Sequence, residues 1–331
     1  MRHFALCARR TAPLVARRRL SSRSLRAGLA GAALVLAAAA CERAKSPPRV
    51  DSIRIGADVP TPDSPVATIP SEWDASVGRY LLVAGATPGE ALLIDPERRG
   101  TVSAGEAVDS AALRGLDATL FGSAGGHTTA KLDGPAPPAA AAECAPPWTV
   151  VRLAGETTTP WTVGVVGGGG EAIPMDSLAG LTTADSAALV ASAARAASSL
   201  PVQDEAYFRG LPFSVHSLQR FSPAAGVQAF AALLVRRVNQ EDSPLEERTF
   251  LVAERDSAAA AWRVAYHERS AGTEDEVESS EALAALTLGA ARRPSLLIVH
   301  EVADGVAYRI LERTGPARWR ARWTSALGRC R

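Results

Sequence analysis

The stretch SLLIVHEVADGVAYRILERTGPARWRARWT, residues 295–324, decides the fold class. Three apolar-rich runs, Ser295–His300, Val306–Arg313 and Arg318–Thr324, are separated by Ala303-Asp304-Gly305 and Thr314-Gly315-Pro316, and Gly and Pro at such breaks favour tight turns. The last run alternates, with Arg318, Arg320 and Arg322 on one side and Trp319, Ala321 and Trp323 on the other. A period of two is the signature of a half-buried strand. The segment therefore reads as an antiparallel meander whose Trp side chains face inward. The three guanidiniums, about 7 Å apart along one strand face, form a candidate anion-binding stripe for phosphate or carboxylate. The bland alternative is a solvent face neutralised by Glu312 or Glu301.

Upstream, the same grammar repeats. Paired runs flank short turns at Arg79–Ala84 and Ala91–Asp95, Ala118–Ser123 and His127–Leu132, Trp148–Leu153 and Trp161–Val166, Phe213–Phe221 and Val227–Val238, and Arg248–Glu254 and Trp262–Glu268. Trp262 and Tyr266 join Trp319 and Trp323 as expected core anchors. Three helices interrupt the strands. Thr183–Leu200 opens on a capping box, Thr182 with Asp185, and stops at Pro201. Glu106–Leu116 is short and amphipathic, and Ser280–Leu288 is rich in Ala and Leu and ends at Gly289. The expected fold is mainly antiparallel β with a few helices, an α+β class. Leu251-Val-Ala-Glu-Arg-Asp followed by Trp262-Arg-Val-Ala-Tyr echoes Arg309-Ile-Leu-Glu-Arg-Thr followed by Trp319-Arg-Ala-Arg-Trp, with a poorer third copy at Val151 and Trp161. That echo suggests a propeller-like or sandwich arrangement of short hairpins, although any hairpin with an aromatic at its second entry gives the same pattern.

The N-terminal region has a different character. Residues 1–40 carry eight Arg and no Asp or Glu, and Ala27–Ala40 runs without a charge. Fourteen residues at about 1.5 Å each reach about 21 Å, short of the roughly 30 Å hydrocarbon core of a membrane. Residues 1–40 thus read as a signal peptide. The long basic region and the lack of a second Met before Met175 point to a translation start near Val15. Ala38-Ala39-Ala40-Cys41 resembles the lipobox of bacterial lipoprotein precursors, departing from it at Ala38, where Leu is usual. The resemblance implies that Cys41 is lipidated and becomes the mature N-terminus. The other reading is a plain A-x-A cleavage site releasing a soluble secreted protein. Glu42, by analogy with lipoprotein sorting, favours the outer membrane. Beyond the signal peptide only Cys41, Cys144 and Cys330 remain, so lipidating Cys41 leaves one pair, expected to form a disulfide in an oxidising envelope. Residues 41–72, with six Pro, read as a tether holding one short strand at Val50–Ile55. Residues 73–331 read as a single β-rich body with a sub-division near 201–212. Gly134–Pro147 reads as a surface loop.

Without the signal peptide the chain has 28 basic residues against 35 acidic, net −7, which gives no general attraction for nucleic acid or anionic membranes. The membrane partner is then reached through the lipid. Gly167–Ala172 spells G-x-G-x-x-A, but Ile173-Pro174 follows where a helix must open to meet a pyrophosphate, so it reads as a loop. His127, His216, His267 and His300 are scattered, without the clustering that a metal needs. The acidic run Glu274–Glu276, with Glu278 and Glu281, lacks the Gly-centred spacing of a calcium loop. Gly122-Ser123 misses the G-x-S-x-G spacing by one residue, and Thr128–Lys131 resembles S-x-x-K with no companion motif. No catalytic residue, metal or cofactor is expected. The function expected from these residues is a non-catalytic, lipid-anchored interaction module for an unknown envelope protein or glycan. A ligand or glycan binder is the alternative, and a hydrolase built from distant carboxylates stands behind both.

Overall fold

The computed structural model describes residues 73–103, 112–136, 148–155, 160–201, 206–238 and 244–329, all inside one compact unit, Ser52–Arg331. Cys41, Cys144 and Cys330, the tether with Val50–Ile55, and most of the expected Glu106–Leu116 helix lie outside the described residues. The fold is mostly antiparallel β with one α-helix among the described residues.

Six strands close into a barrel in the order β1 (Tyr80–Ala84), β2 (Glu90–Ile94), β6 (Thr149–Ala154), β5 (His127–Pro135), β4 (Asp117–Phe121) and β7 (Val163–Val166), with β7 returning to β1. β1, β2 and β7 read as near-continuous apolar runs because they are buried on both faces, while β5 and β6 alternate buried and exposed residues. β1 sends Tyr80 and Leu82 into the barrel interior. Its Leu81 and Val83 point outward, where a second sheet covers them. Closure leaves the barrel without an unpaired edge.

That second sheet has seven strands. Its main path is β3 (Thr101–Ser103), β18 (Leu327–Arg329), β16 (Gly305–Gly315), β15 (Arg293–Val302), β14 (Ser279–Leu288) and β8 (Gly170–Ile173), and β17 (Arg318–Thr324) also pairs with β16. Ala284, Leu286, Leu297, Tyr308, Ile310 and Trp323 pack on the barrel. The opposite face, with Ala282, Ala285, Leu296, Ile298, Leu311 and Trp319, meets Phe221, Ala229, Ala231, Phe250 and Val252 of a third, five-stranded sheet. Its order is β13 (Arg263–Thr273), β12 (Leu245–Arg255), β11 (Val227–Val238), β10 (Ser214–Ala224) and β9 (Met175–Ser177). On its far side lies α1 (Thr183–Ser198), whose Leu189, Ala193, Ala196 and Ala197 bury against Phe230, Ala232, Leu234, Leu251, Ala253 and Trp262. The Thr182 hydroxyl accepts from the Asp185 amide at the helix start, as the capping pattern requires. The body is thus a stack of helix, sheet, sheet and barrel, with the strand-rich layers separated by apolar clusters.

Several expectations are corrected by this arrangement. Ser280–Leu288 is a strand, β14, paired with β15 along its length and with β8 over its last residues. Ala and Leu favour a helix locally, but a position between two strands, buried on both faces, overrides that weak preference. The hairpins of the internal echo, β12–β13 and β16–β17, lie in the two open sheets, which pack face to face, and the remaining strands close the barrel. The β17 alternation is broken. A register shift between the Ile310–Trp323 and Leu311–Ala321 pairs inserts Arg322 as a bulge, and one extra residue flips the faces that follow. Trp319 therefore faces the five-stranded sheet and Trp323 the barrel. Trp262, Trp319 and Trp323 are buried as expected, while Tyr266 is half-buried. α1 and β10, which flank the suggested sub-division, share one apolar cluster.

The Gly167–Gly170 run carries the chain from the barrel to the seven-stranded sheet. A Cβ on Gly168 would lie 1.9 Å from the Val77 carbonyl oxygen, and one on Gly170 2.4 Å from that of Thr287. Close backbone approach requires glycine here, and β8 follows where a nucleotide-binding turn would need a helix.

Candidate functional site

Charged side chains enter the interior at a few strand positions, and each set has a distinct character. Glu254 on β12 is fully buried. Its carboxylate accepts from Arg313 Nε at 2.8 Å and Nη2 at 2.9 Å, the Ala317 amide at 2.8 Å and Trp319 Nε1 at 2.5 Å. Four donors saturate its oxygens. This group ties the five-stranded sheet to the β16–β17 turn, where Ala317 sits at φ 47°, a conformation uncommon for a residue with a side chain. Its role is mechanical.

A second set bridges the two open sheets. Glu268 on β13 accepts from Tyr266, from Ser280 Oγ at 2.5 Å and from Arg309 Nη1 at 2.7 Å. Ser280 Oγ is also 2.9 Å from His300 Nδ1, and Glu278 approaches Nε2 at 3.5 Å. Burial and then the Arg309 charge push the His300 imidazole down to about 4, with Glu268 opposing. Burial also works against the Glu268 carboxylate, but Arg309 and the hydrogen bonds from Ser280 and Tyr266 outweigh it and hold it below the usual range. Burial, then the Glu268 charge, raises the Tyr266 phenol. Ser, His and Glu are adjacent here, yet Ser280 is 3% exposed and its hydroxyl is committed to Glu268. A nucleophile also needs room for a carbonyl beside it, and a hydroxyl this buried has none.

The third set lies where α1 ends over the five-stranded sheet. Here the apolar face under the helix turns polar. Arg236 on β11 stands directly across from Glu247 on β12, and Thr249 on β12 directly across from Arg269 on β13. Residues two apart on β12 share a face, so Glu247 and Thr249 lie side by side between two arginines. Arg236 Nη2 donates to Glu247 Oε2 at 2.7 Å and Nη1 to the Phe208 carbonyl at 2.8 Å. Arg269 donates to the same Oε2 and, at 3.0 Å, to the Pro201 carbonyl. The Arg236 guanidinium also lies 4.7 Å from the Phe213 ring centre, within cation–π range. Ala197, Ser198, Leu200 and Phe213 complete the wall of a small recess of about 20 Å³, room for about one water. Among the described residues six buried side-chain polar atoms lack a partner, and three belong to this recess: Arg236 Nε, Glu247 Oε1 and Thr249 Oγ1. Such atoms in a native fold call for a water or a ligand. This is the candidate site.

The residues singled out from the sequence fare differently. Arg318 and Arg320 are exposed and Arg322 is half-buried at the bulge, so the stripe is not one continuous face. Arg320 lies 4.0 Å from Glu312, which also pairs with Arg293 at 2.7 Å. Cys41, Cys144 and Cys330 lie outside the described residues. Thr128–Lys131 is on β5, with Lys131 paired to Asp117 at 2.7 Å on the surface. Glu278 of the acidic run reaches His300, and Glu274 reaches Arg237 at 3.6 Å. Among the described residues no group of His, Cys, Asp or Glu could hold a metal ion, and no helix is long and apolar enough to cross a membrane.

The recess was not legible in the sequence. Its one signal is the run Glu246-Glu247-Arg248-Thr249 leading into the apolar Phe250–Ala253, polar residues at positions where a strand entering a core should turn apolar. Comparison with known proteins brings no match: no family model, no curated protein and no solved structure matches the chain.

Proposed function

We propose that the chain is a lipid-anchored protein of a bacterial cell envelope, outer membrane favoured, whose β-rich body is a non-catalytic interaction module for another envelope component. The anchoring half of this reading is supported by the basic, then apolar, N-terminal region ending in Ala38-Ala39-Ala40-Cys41. The non-catalytic half is supported by how the body uses its interior charges. Glu246, Glu247, Glu254 and Glu268 each tie strands together through arginines. Ser280, beside His300, is buried with its proton directed at a carboxylate. Net charge −7 beyond the signal peptide gives the body no general pull toward nucleic acid.

The experiment is affinity capture of the full chain from envelope extracts, paired with intact-mass measurement of the membrane-extracted protein. The reading expects a diacylglycerated Cys41 at the N-terminus and a stoichiometric envelope partner. A soluble product with a free Cys41 thiol removes the anchor, and turnover of an ester, amide or glycoside by the purified chain removes the non-catalytic body.

A further inference from the structure

We infer that the end of the body where the chain from Cys41 enters docks on the anionic headgroups of the membrane, with the opposite, acidic end turned away. This rests on the anchored reading of the N-terminal region and adds an orientation that a lipid alone does not give.

The net charge of −7 beyond the signal peptide conceals an asymmetry along the strands. The β12–β13, β14–β15 and β16–β17 turns share one end of the two open sheets. Glu254, at the close of β12, bonds to Arg313 and Ala317 beside the β16–β17 turn, and the antiparallel run from β14 to β17 brings its first and third turns together. These turns carry Arg255, Arg263, Arg292, Arg293 and Arg318 with one acid, Asp256. At the other end, the β13–β14 connection and the β15–β16 turn carry Glu274, Asp275, Glu276, Glu278 and Asp304 and no basic residue.

Neighbouring strands reduce the contrast without removing it. Arg320 joins the basic end, Arg263 meets Asp256 at 2.7 Å, Arg292 meets Glu171, and Arg293 and Arg320 share Glu312 at 2.7 and 4.0 Å. Six arginines against these three carboxylates leave a surplus of three positive charges. Further charges here cancel, Arg220 with Asp176, Arg313 with Glu254, and Arg322 beside Asp74. Arg292, Arg293, Arg318 and Arg320 are exposed, and guanidiniums meet phosphate oxygens in bidentate pairs. β16, eleven residues long, separates the two ends by about 30 Å. The Debye length at physiological salt is about 8 Å, so a surface touching the basic end barely feels the acidic one.

Connectivity brings the same end to the membrane. Trp73, the first described residue, packs its ring 4.9 Å from that of Trp323. Ser76 Oγ accepts from the Ala290 amide in the β14–β15 turn at 2.7 Å. The chain from Cys41 therefore joins the body beside Arg292 and Arg293. Each Arg near an anionic surface strengthens association about fivefold, so a surplus of three gives on the order of a hundredfold.

The test places the full chain with vesicles of phosphatidylcholine alone, or with an equal share of phosphatidylglycerol, and follows flotation and amide hydrogen exchange. Flotation with the neutral vesicles reads the anchor alone. The inference expects slower exchange in residues 256–262, 289–292 and 315–318 on the anionic vesicles only, with none in 274–278 or 303–304. About 1 M salt, which shortens the Debye length to about 3 Å, should abolish that protection. The triple variant Arg292→Gln, Arg293→Gln, Arg320→Gln removes the surplus and should weaken docking on the order of a hundredfold, with the unfolding midpoint nearly unchanged because exposed ion pairs contribute little. A chain that does not float with neutral vesicles removes the anchored reading, and flotation of wild type against the triple variant on anionic vesicles then tests docking by itself. The eight Arg of residues 1–40, where retained, are common to both chains and drop out of that comparison. Equal exchange on both vesicle types, protection at the acidic turns, or docking unmoved by the triple variant overturns the inference. Protection of both ends that grows with protein concentration and needs no vesicle does so as well, and assigns the basic end to a second copy of the chain.

Discussion

Replacing Glu254 by Ala removes the acceptor of four hydrogen bonds at once and leaves Arg313, 14% exposed in its side chain, without its carboxylate. Stripping one partner from a buried ion pair costs about 3–5 kcal/mol. The orphaned Trp319 and Ala317 N–H groups would each add about 1–3 kcal/mol if they stayed dry. They will not all stay dry, because the β16–β17 turn is at the surface and Ala317, relieved of its carboxylate, can leave its positive φ. The expected loss is therefore about 4 kcal/mol, a large share of the roughly 5–15 kcal/mol typical of a folded domain. Urea unfolding followed by tryptophan fluorescence reads it directly, since Trp319 is itself a partner. Glu254→Gln, which keeps one acceptor oxygen but sets an amide against the donors, should fall between wild type and Ala. The double variant Glu254→Leu with Arg313→Leu should recover more than half of the loss, because no charge is then left unpaired. A loss under about 1 kcal/mol for Ala at unchanged m, or a double variant no better than Ala, would show that the pair is not the strut described here.

Other perturbations have equally definite outcomes. His300 is pushed down to about 4 in the folded chain against about 6.5 unfolded, so the unfolded state takes up its proton first. Stability is whole above pH 6.5 and is lost as pH falls toward 4, by about 3 kcal/mol from this group. Glu268, held below the usual carboxylate range, adds a further loss at lower pH, and His300→Gln should flatten the fall between pH 6.5 and 4 in pH-dependent urea titrations. Phe230→Ala, at a fully buried ring 4.7 Å from Trp262, should cost about 3–5 kcal/mol and loosen α1, seen as faster amide exchange in residues 183–198. If Cys41 carries the proposed lipid, Cys41→Ala should move the chain from the membrane to the soluble fraction. If Cys144 and Cys330 pair, the exported protein should give no free-thiol reaction until it is reduced.

What the sequence determined by itself is local. Period-two alternation and turn residues located nearly all the long strands, because those signals are written in neighbours one or two residues apart. The Thr182–Asp185 cap and Pro201 fixed α1 for the same reason, and the composition of residues 1–41 set the expected address without any fold. The tertiary structure decided whatever depends on who lies across from whom. β14 carries a helix-favouring sequence and is a strand because both of its faces and both of its sides find partners. The bulge at Arg322 separates Trp319 and Trp323 onto opposite faces because each has its own core to fill. Arg236, Glu247 and Arg269 meet only because β11, β12 and β13 pair in one register. That register is set by burial of whole strand faces, since a slip of one residue would expose every apolar side chain on them, and no window of sequence records it.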